Sequence, residues 1–326
     1  MKTFFCFVAA LAFTSCSQNQ KNEGGDNVLI LHPVSELPQK EESKSGASPV
    51  LIGGRAADPK DWPASMYADL GGARCTATIV GERVLLIAAH CVSNGGTAQF
   101  NAGGQTYRAT CTHSRDYAGN ATADYAACEI DRAVTGVPFE HVNTDEKLVK
   151  VGDEILLTGY GCTIPGGTGG NDGTYRIGES IVSRLPTGTD NDIITRGPSA
   201  LCYGDSGGPA FKLVGNKRFQ LSVNSRGDIR TTSYLSSLAT AQGKRFLTAW
   251  VEKFGHKICG MHADAEGCRG GNEPGPTPTP PPASKCKESY DFLGKCLFST
   301  GTLMVAPAVC YQAAGIMFQC LEEKYK

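Results

Sequence analysis

Two strand-like runs and one amphipathic helical stretch are the local signals for an all-β domain closed by a helix, and chain length bounds how many such domains there are. Segments 75–80 and 84–89 are short apolar runs, with the β-branched Thr76, Thr78, Ile79 and Val80 in the first, and Gly81, Glu82 and Arg83 make a turn between them, so they read as two strands. The stretch 242–254 places Leu247, Trp250, Val251 and Phe254 at helical spacing, which buries one face of a closing helix. The third observation is length. A chain of 326 residues leaves room for a second unit, although all-β domains of more than about 200 residues commonly form one.

Charge and cysteine usage exclude several function classes. Lys plus Arg (31) nearly balances Asp plus Glu (32), and no basic run is interleaved with aromatics, so nucleic acid is not an expected partner. Fourteen cysteines without C-x-x-C pairs point to disulfides and an oxidising compartment. No metal or cofactor is expected.

The chemistry is expected at residues 204–209, where the Ser206 hydroxyl stands among Gly204, Asp205, Gly207, Gly208 and Pro209. The same residue types also make ordinary surface turns. A serine hydroxyl is a poor nucleophile at its own pKa and needs a base within hydrogen-bond reach, together with backbone N–H donors for the oxyanion it creates. Upstream lie Ala88, Ala89, His90 and Cys91, then Asp124, Tyr125, Ala126 and Ala127. With these three motifs in the order His, Asp, Ser, the chain resembles the trypsin-like (chymotrypsin-fold) serine proteases over about residues 51–255.

The resemblance implies two six-stranded antiparallel β-barrels with a carboxy-terminal helix, and an exported endopeptidase acting on protein or peptide substrates, expected as a monomer. In that family Ser206 would be the nucleophile, His90 the base, Asp124 the group that fixes the imidazole tautomer, and the N–H groups of Gly204 and Ser206 the oxyanion hole. Asp131 competes with Asp124, but its neighbours do not match the motif. A second class is a protease-shaped binding or adhesion protein without catalysis. Such loss usually shows as a replaced member of the three, and none is replaced here.

The remaining segments follow in chain order. Lys2 and the apolar run 4–13 read as a signal peptide, too short to span a bilayer as a stable helix. Phe13, Thr14, Ser15 and Cys16 resemble a bacterial lipobox with Phe in the place of the usual Leu. That makes residues 1–16 a lipoprotein signal, Cys16 the lipid site, and the cell envelope the expected location before any release. Residues 17–50 are polar and read as a tether and pro-segment that cannot fold alone.

Leu51, Ile52, Gly53 and Gly54 match the amino terminus of an activated member of the family, whose freed α-amine pairs with the Asp before the nucleophile, here Asp205. The match also implies a disulfide between Cys75 and Cys91 beside His90. Cys111 and Cys128 flank the Asp124 segment and are expected to pair, outside the common family pattern. Gly159, Tyr160 and Gly161 stand where the family has Gly-Trp-Gly. Cys202 lacks its usual partner downstream of Ser206, which leaves Cys162 as the best remaining one.

The pocket floor would be Ala200, which carries no charge, beside Leu201, with Ser225 and Gly227 on the wall and Arg226 in an aromatic's place. These residues imply an apolar P1 preference. Asn120 and Thr122 spell a glycosylation sequon, and Arg226, Gly227 and Asp228 spell an adhesion tripeptide; both matches are weak. Cys259 and Cys268 bracket a short loop that ends the protease domain 51–269. Residues 270–284 are a linker rich in Pro, Gly and Thr. Residues 285–326 are expected to form a helical hairpin stapled by Cys286, Cys296, Cys310 and Cys320. Three pairings exist, and an antiparallel hairpin favours Cys286 with Cys320 and Cys296 with Cys310.

Overall fold

A computed structural model describes residues 51–269 and the strand residues Leu29–Ile30. The signal peptide, Cys16, the rest of the tether, the linker 270–284 and the module 285–326 with its four cysteines lie outside the described residues. Two short strands, β1 (Leu29–Ile30) and β2 (Arg55–Ala56), precede the barrels. The first barrel closes in the order β3 (Ser65–Asp69), β4 (Arg74–Gly81), β5 (Val84–Ile87), β8 (Ala126–Ile130), β7 (Gln105–His113) and β6 (Thr97–Ala102).

Alternation dictates which side chains fill it. In β6, Ala98, Phe100 and Ala102 point inward while Thr97, Gln99 and Asn101 face solvent, the period of two of a half-buried strand. The partner β7 answers with Tyr107, Ala109 and Cys111, and Phe100 stacks on Tyr107 at 5.6 Å. Both predicted strands are present, although the second ends at Ile87 and gives way to a single 3-10 turn, Ala89–Cys91.

The second barrel comprises β10 (Glu154–Gly159), β11 (Arg176–Arg184), β12 (Asp192–Arg196), β13 (Pro209–Val214), β14 (Lys217–Gly227) and β15 (Thr232–Ser237). Its ring runs β14, β13, β10, β11, β12, β15 and closes through the β14–β15 pairing, so the chain has the expected two six-stranded antiparallel barrels. Leu51, Ile155, Leu157, Val182, Leu201, Leu221, Ile229 and Leu235 pack together in its core. Between the barrels runs β9 (His141–Val142), parallel to β14.

A charged pair also links the connection between barrels to the second barrel. Arg218 Nε donates to Glu140 Oε2 at 2.7 Å, both side chains are fully buried, and the guanidinium lies 4.0 Å over Trp62. Breaking one half of such a pair leaves an unpaired buried charge, a loss of roughly 3–5 kcal/mol.

The closing helix α1 (Ala241–Phe254) starts on Thr240, whose hydroxyl accepts from Gly243 N–H at 3.1 Å, and ends at Gly255 in the left-handed region. Leu247 and Trp250 on its inner face join the core of the first barrel, so this helix, which follows the second barrel in sequence, packs back on the first.

The described chain carries four disulfides: Cys75–Cys91, Cys111–Cys128, Cys162–Cys202 and Cys259–Cys268. The tether, expected to add no structure of its own, contributes β1, which pairs antiparallel with β14 through Leu29 opposite Gly227 and Ile30 opposite Arg226.

Candidate active site

Three side chains from different parts of the chain meet between the barrels. The buried strand β5 delivers His90 on the 3-10 turn that follows it, and the Cys75–Cys91 disulfide fastens that turn to β4. Asp124 comes from the loop between β7 and β8. That loop is held against the second barrel by Asn120 Nδ2, which donates to Thr189 O at 2.7 Å, and by Asn191 N–H, which donates to Thr122 Oγ1 at 2.9 Å. The sequon nitrogen is thus already bonded.

Asp124 Oδ1 accepts from the backbone N–H of His90 at 2.9 Å, and Oδ2 faces His90 Nδ1 at 2.6 Å. On the other side of the ring, His90 Nε2 lies 3.0 Å from Ser206 Oγ. An ionised carboxylate can only accept, so Nδ1 carries the proton and Nε2 is left to accept from the serine. Burial pushes the Asp124 carboxyl up, but the charge and hydrogen bonds of His90, with that of Ser225, outweigh it and hold the group below the usual carboxylate range. Ser225 Oγ donates to Asp124 Oδ2 at 2.6 Å.

The loop around Ser206 is anchored from both barrels. Thr76 on β4 donates its hydroxyl to Gly204 O and its N–H to Ser206 O, both at 2.8 Å. Tyr203 O accepts from Cys162 N–H at 2.8 Å, and Asp205 O accepts from Gly208 N–H at 3.0 Å and Asn224 Nδ2 at 3.3 Å. A trans peptide sets its N–H opposite its carbonyl. The N–H groups of Gly204 and Ser206 therefore point away from these anchors.

Residues 51–240, more than half of the chain, match the family model described as Trypsin. The chain belongs to the trypsin family of serine proteases. It is similar to serine protease SP24D of Anopheles gambiae, at 25% identity over 218 residues that cover 58% of this chain and 80% of the relative. Membership of the trypsin family supports a serine peptidase, and its disulfides suit the oxidising surroundings of a secreted protein.

Within this trypsin-family chain, Leu51 is fully buried with φ 51°, and Ala200 N–H donates to Ile52 O at 2.9 Å. Asp205 is fully buried; its carboxylate accepts from Gly161 N–H and Cys202 N–H, both at 2.8 Å. Burial pushes that carboxyl up to about 7 against those bonds and the charge of Arg176. The Gly159 and Gly161 pair now has a steric reason, since a Cβ at either would lie within 2.6 Å of Asp205 atoms.

Ala200 and Leu201 are fully buried in one apolar cluster with Ile229, a β-branched residue at φ 55°. Gly227 is buried beside Thr232. Ser225, expected on the pocket wall, spends its hydroxyl on Asp124. Arg226 pairs with the buried Asp192, whose carboxyl burial pushes up to about 7, and lies 5.1 Å over the Tyr234 ring. Asp228 accepts the N–H groups of Arg230, Thr231 and Thr232. Both charges of the adhesion tripeptide are thereby engaged inside the fold.

Sequence reasoning missed Thr76 as an anchor of the nucleophile loop, Ser225 as a donor to Asp124, and the Arg226–Asp192 pair. Each contact joins residues more than thirty positions apart in ordinary strand sequence, so no local pattern signals them.

Proposed function

We propose that this chain is an exported serine endopeptidase that works through an acyl-enzyme. Ser206 Oγ attacks the scissile carbonyl carbon while His90 Nε2 takes its proton; Asp124 stabilises the imidazolium, and the N–H groups of Gly204 and Ser206 receive the oxyanion. The C–N bond then breaks as His90 gives its proton to the leaving amine. Water, deprotonated by His90, attacks the ester and restores Ser206. The observation that carries this reading is the continuous relay of 3.0 Å from Ser206 Oγ to His90 Nε2 and 2.6 Å from Nδ1 to Asp124.

Several finer parts belong to the same proposal. The chain is made as a zymogen, anchored through Cys16 and cut after Val50, so that the Leu51 amine pairs with Asp205. Activation removes the lipid-bearing piece, because no cysteine lies between Ser17 and Val50 to keep it crosslinked. The protease domain, residues 51–269, then acts as a diffusible monomer with an apolar P1 preference set by Ala200 and Leu201.

A fluorophosphonate probe tests the chemistry. It should label wild type at Ser206 alone and leave Ser206→Ala unlabelled, and Ser206→Ala or His90→Ala should lose about four to six powers of ten in peptidase rate. Peptidase activity close to wild type in either variant defeats the assignment.

A further inference from the structure

We propose that Arg226 is a positioning residue for the relay: Asp192 holds its guanidinium, the guanidinium holds the Ser225 hydroxyl, and that hydroxyl is thereby aimed at Asp124. The proposal rests on the reading of Ser206, His90 and Asp124 as the site of peptide hydrolysis, and it gives work to a cation that stands where the resemblance places an aromatic ring.

The guanidinium is fixed from several sides. Nη2 donates to Asp192 Oδ2, Nη1 is shared between Ser225 Oγ and Ala121 O, both at 3.4 Å, and the Tyr234 ring lies against its face. The anchor is a carboxylate with little else to hold. The Asp192 side chain is 2% exposed, and its Oδ1 has no hydrogen-bond partner among the described residues, so a guanidinium that swung away would strip a buried charge.

Donor and acceptor roles then fix the direction of the chain. A guanidinium only donates and an ionised carboxylate only accepts, so Ser225 Oγ takes the Arg226 N–H on a lone pair and gives its own proton to Asp124 Oδ2 at 2.6 Å. A cation at the head polarises that hydroxyl and strengthens its bond to the carboxylate. From Arg226 through Ser225, Asp124 and His90 to Ser206 the steps are 3.4, 2.6, 2.6 and 3.0 Å, without a gap. The other charged or titratable groups nearby are few. Asp190 and Arg184 beside Asp192 pair with each other, and the Tyr117 phenol, within the field of both Asp124 and Arg226, is pushed up to about 12 chiefly by burial and stays neutral. Losing the guanidinium therefore leaves Asp124 more basic and its hold on the His90 proton tighter.

The test reads the His90 imidazole without turnover, by heteronuclear NMR titration between about pH 5 and pH 9 of histidine-labelled full-length protein carrying Ser206→Ala. The chain has six histidines, and a His90→Gln control assigns the signal. Burial pushes the Asp192 carboxyl up to about 7, inside that window, so the pair is removed whole, as Arg226→Met with Asp192→Leu, a swap that buried pairs tolerate. The His90 midpoint should rise by at least about half a pH unit, and by less than half as much where Ser225→Ala is already present, because the hydroxyl that passes on the effect is gone. A second pair, Arg226→Gln with Asp192→Asn, should move it the same way and carries the test if the apolar pair does not fold. An unmoved midpoint, as packing alone would give, or an equal rise without Ser225, as bare charge would give, overturns the proposal. Every arm lacks the serine, so the result is independent of whether Ser206 is the nucleophile. The expected shift alongside a wild type without peptidase activity would retire the catalytic reading and keep Arg226 as the residue that positions Ser225.

Discussion

Ser225 and Asp124 come from different barrels, 101 residues apart, and meet at 2.6 Å on the carboxylate oxygen that also faces His90. The second barrel thus tunes the charge that orients the imidazole. Ser225→Ala removes one of three donors, and the unsatisfied carboxylate becomes more basic and binds the His90 proton more tightly. The acid limb of the pH–rate profile should move to higher pH, and kcat/KM should fall about tenfold, the usual worth of a hydrogen bond to a charged group. An unmoved acid limb would mean that Ser225 serves only packing.

The apolar cluster of Ala200, Leu201 and Ile229 makes a second expectation quantitative. A Lys or Arg head at P1 would lose its water without gaining a partner, so peptides with Leu, Val or Ala at P1 should exceed Lys and Arg peptides at least about tenfold in kcat/KM. Ala200→Asp should narrow or reverse that ratio. A library profile dominated by basic P1 residues in wild type would sink the pocket assignment.

Two disulfides invite comparison. Cys162–Cys202 closes 40 residues and Cys111–Cys128 closes 17, worth about 4 and about 3 kcal/mol respectively in the chain-entropy model. Replacing either pair by Ala should lower Tm by roughly 10 °C. Only the first should also lower kcat, because Cys162 N–H holds Tyr203 O and so aims the Gly204 N–H. Calorimetry with steady-state kinetics on both double variants separates the two effects; equal kcat values would show that the backbone holds the loop unaided.

The residues proposed to do the chemistry are legible in sequence because proton transfer and oxyanion binding admit few residue types, and His90, Asp124 and Ser206 each stand in a local motif. The strands around His90 are legible from β-branched runs, and α1 from its apolar stripe. Contacts set by register across the barrels are not. Nothing in the run from Cys75 to Val80 distinguishes Thr76, which clamps Gly204 and Ser206, from Thr78 two places on. Arg218 and Glu140, 78 residues apart and in no motif, become a pair only when the fold buries them together. β1 escapes for a related reason: two residues form a strand only where an open edge already exists.

Asp205 gives the most direct test of activation. In the uncut chain its carboxyl is pushed up to about 7 by burial, well above the ordinary value of 3.8. The folded chain therefore holds a proton that the unfolded chain releases, and this contribution to stability is full below about pH 4 and lost as pH rises through about 7, a loss on the order of 4 kcal/mol at most. Asp205→Asn carries no such charge. In full-length protein with Ser206→Ala, which cannot cut itself, the Asn variant should show a flatter dependence than the parent between pH 4 and 8, because its amide does not ionise; its one carboxamide oxygen serves only one of the two donors, Gly161 N–H and Cys202 N–H, a cost that is the same at every pH. Cleavage after Val50 should stabilise the parent at pH 8 and leave the Asn variant unchanged, because the new Leu51 ammonium would pair with an ionised Asp205 and has no partner in the Asn variant. Urea melts at pH 4, 6 and 8 on cut and uncut forms read both effects. If uncut parent and variant share one pH dependence, or cleavage stabilises the parent no more than the variant, then Asp205 does not wait for the Leu51 amine, and activation by that pairing is wrong.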